Sequence, residues 1–166
     1  MPPPALIDAA NFDTSKVQVD LEGIRRSNLQ RFEMEQLDAV VLIDERQQLI
    51  VGYKDITPDA FWVRGHMPNY PLMPGILMCE TAAQICSYYS HHVKLIDHTS
   101  FIGFGGMEDV RFRGQVRPGQ RFVIAAKAIR LNRRQTTFDT QGFVDGNMVF
   151  HGRIIGVAIP DLSATE

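Results

Sequence analysis

No apolar run in this chain suffices to cross a membrane. The run from Ile76 to Tyr89 falls short of the roughly 20 residues a span needs and carries Glu80, Gln84 and Ser87, so it reads as a core helix. Charge of one sign is not in excess either. With 17 Lys and Arg against 19 Asp and Glu the net charge is -2, which supplies no basic field for nucleic acid. Cysteine is scarce: Cys79 and Cys86 are the only two, seven residues apart. On one helix face that spacing puts them roughly 10 Å apart, too far to bridge, as in a reducing compartment. The opening MPPPALIDAA has neither a basic region nor a long apolar core and does not read as a signal peptide. Residues 1–17 read as a loose arm, and the expected location is cytoplasmic. Metal-ligand spacing is also missing. His91, His92 and His98 have no acidic or cysteine partner at a typical interval, so no metal is assigned and a solvated helix end is expected.

What is present suits one domain over 1–166, able to bury about two-thirds of the surface of its unfolded form. Residues 18–37 mix charge and apolar residues at three- and four-residue spacing, which predicts one or two short amphipathic helices. Ala39–Ile43 and Leu49–Ile56 flank the polar turn Asp44-Glu45-Arg46-Gln47 and predict a hairpin. Pro68, Pro71 and Pro74 hold the backbone extended, so the apolar helix can begin only at about Pro74 or Gly75; it should end near His92. A loop with Gly103, Gly105 and Gly106 should follow. From Glu108 the pattern predicts a meander of 109–112, 120–131, 135–144 and 147–159, punctuated by Pro118-Gly119, Asn132-Arg133-Arg134 and Asp145-Gly146. One long apolar helix and five or six antiparallel strands make an α+β fold in which the sheet wraps the helix.

Between His66 and His91 the only charged side chain is Glu80. Its neighbours Ile76, Leu77, Met78, Cys79, Ala82, Ala83, Ile85 and Cys86 predict a helix buried on most faces, where an unpaired carboxylate is costly. Glu80 therefore needs a partner or a chemical task, and His66 in the preceding loop is the candidate. The plainer readings are a loop histidine bonded to a carbonyl and a glutamate satisfied by backbone or by Arg64. Gln84, one turn beyond Glu80, could orient the carboxylate or bond the sheet. Met78, Ile85 and Tyr88 suit core more than a substrate tunnel. Arg111 and Arg113 alternate on one strand face, either merely solvated or forming a patch for an acidic partner.

The segment His66-Met67-Pro68-Asn69-Tyr70-Pro71-Leu72-Met73-Pro74-Gly75-Ile76-Leu77, followed by Glu80 and Gln84, resembles the active-site segment of the 3-hydroxyacyl-(acyl-carrier-protein) dehydratases of bacterial fatty-acid synthesis. The likeness runs from about Gly52 onward and includes MEDVRFRGQVRPGQ, Met107 to Gln120. It implies the hot-dog fold, with His66 as catalytic histidine, Glu80 as catalytic acid, and the Gly75 backbone N–H binding the thioester oxygen. Gln84 would orient Glu80. A glutamate at position 80 resembles the type that does not also isomerise the double bond. The resemblance further implies a homodimer with shared active sites, in which His66 and Glu80 of one site come from different subunits, and leaves room for a trimer of dimers. Acyl carrier protein is the implied partner, with Arg111 and Arg113 as part of its docking patch. No cofactor is implied beyond the phosphopantetheine arm that carries the substrate.

The chemistry suits the residues. A neutral His66 can take a proton from C2, and Glu80, if its apolar surroundings keep it protonated, can give one to the C3 hydroxyl. The unsatisfied N–H groups of a helix starting at Gly75 face the charge that grows on the thioester oxygen. Two departures stand out. The proline- and arginine-containing segment before the first hairpin is replaced by Asn28-Leu29-Gln30-Arg31-Phe32-Glu33, and the aromatic usual after the histidine is Met67. A hot-dog thioesterase and a non-catalytic acyl-binding domain are the alternative readings.

Overall fold

The computed structural model describes residues 1–8, 11–96 and 100–160. Two helices, α1 (Leu21–Arg25) and α2 (Gly75–His92), accompany six strands: β1 (Ala39–Asp44), β2 (Leu49–Asp55), β3 (Ser100–Phe112), β4 (Arg121–Leu131), β5 (Gln135–Val144) and β6 (Asn147–Pro160). The strands form one antiparallel sheet in the order β1-β2-β4-β5-β6-β3. A single long helix against one face of such a sheet is the hot-dog architecture. No helix among the described residues is long and apolar enough to cross a membrane.

Local chemistry accounts for the joints. The Asp44 carboxylate accepts from the N–H groups of Arg46 and Gln47, both at 3.0 Å, and so closes the first hairpin. Asp145 and Gly146 both take positive φ, 50° and 77°, the backbone of a two-residue turn that matches strand twist. Pro74 remains extended (φ -55°, ψ 130°) and α2 starts at Gly75, as the prolines predict. The helix ends at His92, also as predicted.

α2 packs against β2 to β6. Its Leu77, Met78, Ala82, Ile85 and Tyr89 meet Ile50, Phe122, Ile124, Phe138, Phe150 and Ile154 in one buried cluster. Tyr89 and Phe138 meet edge to face at 5.9 Å. Met78, Ile85 and Tyr88 all belong to this core. On the opposite face Ala39, Val41, Val51, Tyr53 and Ala125 form a second cluster, and Ile7 and Phe12 of the N-terminal segment pack onto it. That segment is fastened by Gln141, whose side chain accepts from Leu6 N–H at 2.8 Å and donates to the Pro4 carbonyl at 2.9 Å. The expected arm thus lies along the outer sheet face.

Three expectations are corrected. β3 begins at Ser100 and not at Asp109, so Gly103, Gly105 and Gly106 are strand and not loop. The reason is close packing: a Cβ on Gly103 would lie 2.3 Å from Ile159 and one on Gly105 2.9 Å from Val157, both on β6. Second, only β4-β5-β6 is a meander. β3 crosses to pair with β6, and β2 fills the place beside β4. Third, of the one or two short helices expected over 18–37, one forms, α1 with its Ile24 buried, and the rest of the region holds only a 3-10 turn at Phe32–Met34. It is held by the Arg25 guanidinium on the Glu35 carboxylate at 2.6 and 2.8 Å.

Candidate active site

His66 sits in a loop that closes on itself. Its N–H donates to Trp62 O at 2.7 Å, its carbonyl accepts from Leu72 N–H at 3.1 Å, and its ring Nδ1 lies 2.9 Å from Leu72 O. A carbonyl can only accept, so Nδ1 carries the hydrogen and the neutral ring keeps its lone pair on Nε2. That is the tautomer a base needs. One residue on, Met73 is buried and its N–H donates to Val116 O at 2.8 Å, which ties the loop to the β3–β4 connection.

Glu80 is half-buried, although its helix neighbours are buried. Its carboxylate accepts from Gln84 Nε2 at 2.7 Å. Gln84 itself is 2% exposed and serves three groups: Nε2 also donates to Met34 O at 2.6 Å, and Oε1 accepts from Gln36 N–H at 2.9 Å. Its backbone carbonyl takes a further bond from Asn28 Nδ2 at 2.9 Å. Gln84 therefore both aims Glu80 and fastens the 28–36 segment to α2. Glu80 opens onto a narrow cavity of about 60 Å³ between α2 and the β3–β6 side of the sheet, lined by Gln30, Ala83, Cys86, Ser87, Thr136 and Ile154 among others. At the start of α2, Gly75 has the Phe112 ring against it; a Cβ there would lie 2.8 Å from two ring atoms. Leu77 N–H donates to the Pro74 carbonyl at 2.9 Å, while the N–H groups of Gly75 and Ile76 have no acceptor inside the helix and form a donor pair beside an apolar wall.

Within one chain no hydrogen bond or ion pair among the described residues joins His66 to Glu80. Each has its own polar partner instead, Leu72 O for His66 and Gln84 Nε2 for Glu80.

A family model for the FabA-like domain matches residues 28–153. The chain belongs to that family. The match takes in Asn28–Glu33, so this FabA-like chain resembles its relatives further upstream than Gly52. It is 32% identical over 139 residues to the 3-hydroxyacyl-(acyl-carrier-protein) dehydratase FabZ of Acinetobacter baylyi, covering 82% of this chain and 93% of the relative. To the enzyme of the same name from Desulfotalea psychrophila it is 29% identical over 141 residues, 83% and 92% of the two chains. Among solved structures, the dehydratase heterocomplex ApeI:P from Xenorhabdus doucetiae superposes with a TM-score of 0.66 at 14% identity over 86% of this chain and 94% of that one. A thioesterase from Pseudomonas aeruginosa does so with a TM-score of 0.64 at 18% identity, over 86% and 96%. These likenesses show the fold.

Other groups of the FabA-like chain take definite places. Burial pushes the Cys79 thiol up to about 11 and Cys86 well above its usual value, so neither offers a thiolate. Arg111 and Arg113 are exposed and face away from α2, opposite to Phe112 between them. Arg113 Nε donates to His151 Nδ1 at 3.1 Å; burial, then Arg113 and Arg111, hold His151 below its usual value. His98 lies outside the described residues, and among those described no three His, Cys, Asp or Glu gather to hold a metal. Sequence reading missed Phe112 against Gly75, the Gln36 and Met34 ends of the Gln84 clamp, and the Arg117 guanidinium 3.6 Å over the Tyr70 ring. Tyr70 lies in the active-site segment and Phe112 and Arg117 in the Met107–Gln120 stretch, so those three carried a signal; Gln36 and Met34 did not.

Proposed function

We propose that the chain is a hydro-lyase that dehydrates 3-hydroxyacyl thioesters on acyl carrier protein to trans-2-enoyl thioesters, in fatty-acid or related lipid synthesis in the cytoplasm. The FabA-like match carries this reading, together with a histidine whose tautomer leaves Nε2 free and a glutamate aimed by Gln84. Nε2 of His66 takes the C2 proton. The electrons left on C2 delocalise onto the thioester oxygen, where the Gly75 N–H meets the growing charge. They return to form the C2–C3 double bond as the C3–O bond breaks, and the acid form of Glu80 protonates the departing hydroxyl to give water. Passing the proton from His66 to Glu80 resets the pair.

The working unit is a homodimer in which His66 of one protomer meets Glu80 of its partner. Two observations support this. His66 and Glu80 are unjoined within one chain, and β3 is a sheet edge with no strand beyond it among the described residues, bearing the half-exposed Phe104 and Met107. Carrier protein docks at the cationic Arg111 and Arg113 surface.

The test is direct. The protein is incubated with a 3-hydroxyacyl carrier protein or with a crotonyl thioester while enoyl absorbance and free thiol are followed. Reversible hydration supports the dehydratase; released thiol means a thioesterase; neither leaves an acyl-binding protein. Full turnover by His66→Ala or Glu80→Gln would refute the mechanism. Arg111→Glu with Arg113→Glu should raise KM for carrier-bound substrate more than for a pantetheine thioester, and equal effects would remove the docking patch.

A further inference from the structure

Between His66 and the buried Met73 the active-site loop runs through solvent: Met67, Pro68, Asn69 and Tyr70 are all exposed. Such a loop has little packing of its own to fix a catalytic ring. Its internal bonds, Tyr70 N–H to Met67 O at 2.9 Å and Leu72 N–H to His66 O at 3.1 Å, make it a closed unit that could still move as a whole. From outside, the Trp62 carbonyl takes the His66 N–H at 2.7 Å at the start of the loop, and one stretch of the β3–β4 connection holds the rest. Gln115 Oε1 accepts from the Tyr70 hydroxyl at 3.0 Å, Val116 O accepts from Met73 N–H at 2.8 Å, and the Arg117 guanidinium lies 3.6 Å over the Tyr70 ring.

Arg117 is an unusual use of a cation. It forms no ion pair with any described carboxylate, and its Nη2 is buried without a hydrogen-bond partner. A half-buried guanidinium left without a counter-charge is costly, and among the described residues the contact that faces it is the Tyr70 π-face. Tyr70 lies between the two residues, His66 and Leu72, whose mutual bonds set the imidazole tautomer.

We infer that Arg117 and Tyr70 form a clamp that positions His66, holding the 66–72 loop so that Leu72 O stays on Nδ1 and Nε2 faces the substrate. Both are positioning residues and touch no reacting atom. The inference rests on His66 being the base.

Four variants test it: Arg117→Met keeps the length and removes the charge, Arg117→Lys keeps the cation, Tyr70→Phe keeps the ring and drops the Gln115 bond, and Tyr70→Ala removes both. Because small displacements of an aligned base are costly, Arg117→Met and Tyr70→Ala should lower kcat about tenfold with KM within about twofold, and Arg117→Lys should restore at least about half. Nitrogen-15 shifts of the His66 ring should show the Nδ1–H tautomer in the parent and a mixed population in Arg117→Met. Parent-like kcat and ring shifts in Arg117→Met and Tyr70→Ala overturn the clamp, as does an equal loss in Arg117→Lys and Arg117→Met. If Arg117→Met does not fold, Tyr70→Phe against Tyr70→Ala decides by the same readouts. Loss of the base assignment is separable: His66→Ala would then keep turnover, while the ring shifts of the clamp variants still report whether the loop is held.

Discussion

Gln84→Leu should destabilise the protein by about 3 kcal/mol, because one buried amide serves three groups that leucine cannot. The Gln36 N–H, now bonded to Gln84 Oε1 at 2.9 Å, would be left buried without an acceptor, at a cost of about 1–3 kcal/mol. The charge-assisted bond to Glu80 at 2.7 Å contributes about 1 kcal/mol once the half-exposure of that carboxylate is allowed for, and the bond to Met34 O less. At a urea slope of about 2 kcal/mol/M the midpoint should fall by about 1.5 M. Gln84→Glu is the internal control, since it keeps the shape and the acceptor for Gln36 but sets a second carboxylate beside Glu80. Each raises the proton affinity of the other in the folded state. A folded pKa above the unfolded one gives stability that is present at low pH and lost as pH rises, so this variant should cost more at about pH 8 than at about pH 5. Urea denaturation of the parent and both variants at the two pH values measures all of this. A shift below about 0.3 M for Gln84→Leu, or a Gln84→Glu cost independent of pH, would refute the clamp energetics.

Mixing His66→Ala and Glu80→Gln chains, unfolded and refolded together, should recover about a quarter of parental turnover, because half the dimers are hybrids and each hybrid has one intact site; no recovery would mean that the pair acts within one chain. Gly75→Ala places a methyl 2.8 Å from the Phe112 ring, which is half-exposed and can swing out. Thermal denaturation should show a loss of about 1 kcal/mol or less, kcat should fall, and Phe112→Ala should relieve the stability loss. His151 is held below its ordinary 6.5 by burial and then by Arg113 and Arg111, so its contribution to stability is present above 6.5 and lost as pH falls through the lowered value. NMR titration of Arg113→Ala should move His151 back upward. Deleting residues 1–14 strips Ile7 and Phe12 from the outer apolar cluster and should cost about 2–3 kcal/mol, read by urea denaturation.

The parts of the site that were legible in the sequence are those written over a few residues. Pro71, Pro74 and Gly75 fix where α2 begins because they restrict their own and neighbouring φ and ψ, and Glu80 and Gln84 share a face because they are one turn apart. Glu80 was expected deep in apolar surroundings and is half-buried, since the stripe it lies on faces the 28–36 segment and the cavity rather than the core. Periodicity also misread Gly103, Gly105 and Gly106, for glycine marks both a loop and a close strand contact, and only Ile159 and Val157 on β6 tell which.

By itself the sequence determined the hairpin turns, the limits of α2, the α+β class and the identity of the acid–base candidates, all through interactions spanning a turn or less of chain. Tertiary structure alone decided the strand order, the seating of Phe112 on Gly75, the Gln84 bonds to Gln36 and Asn28 across 48 and 56 residues, and the Tyr70 bond to Gln115 across 45. The physical reason is that a contact between distant segments depends on which faces the whole sheet brings together, and no local pattern of polar and apolar residues encodes that choice.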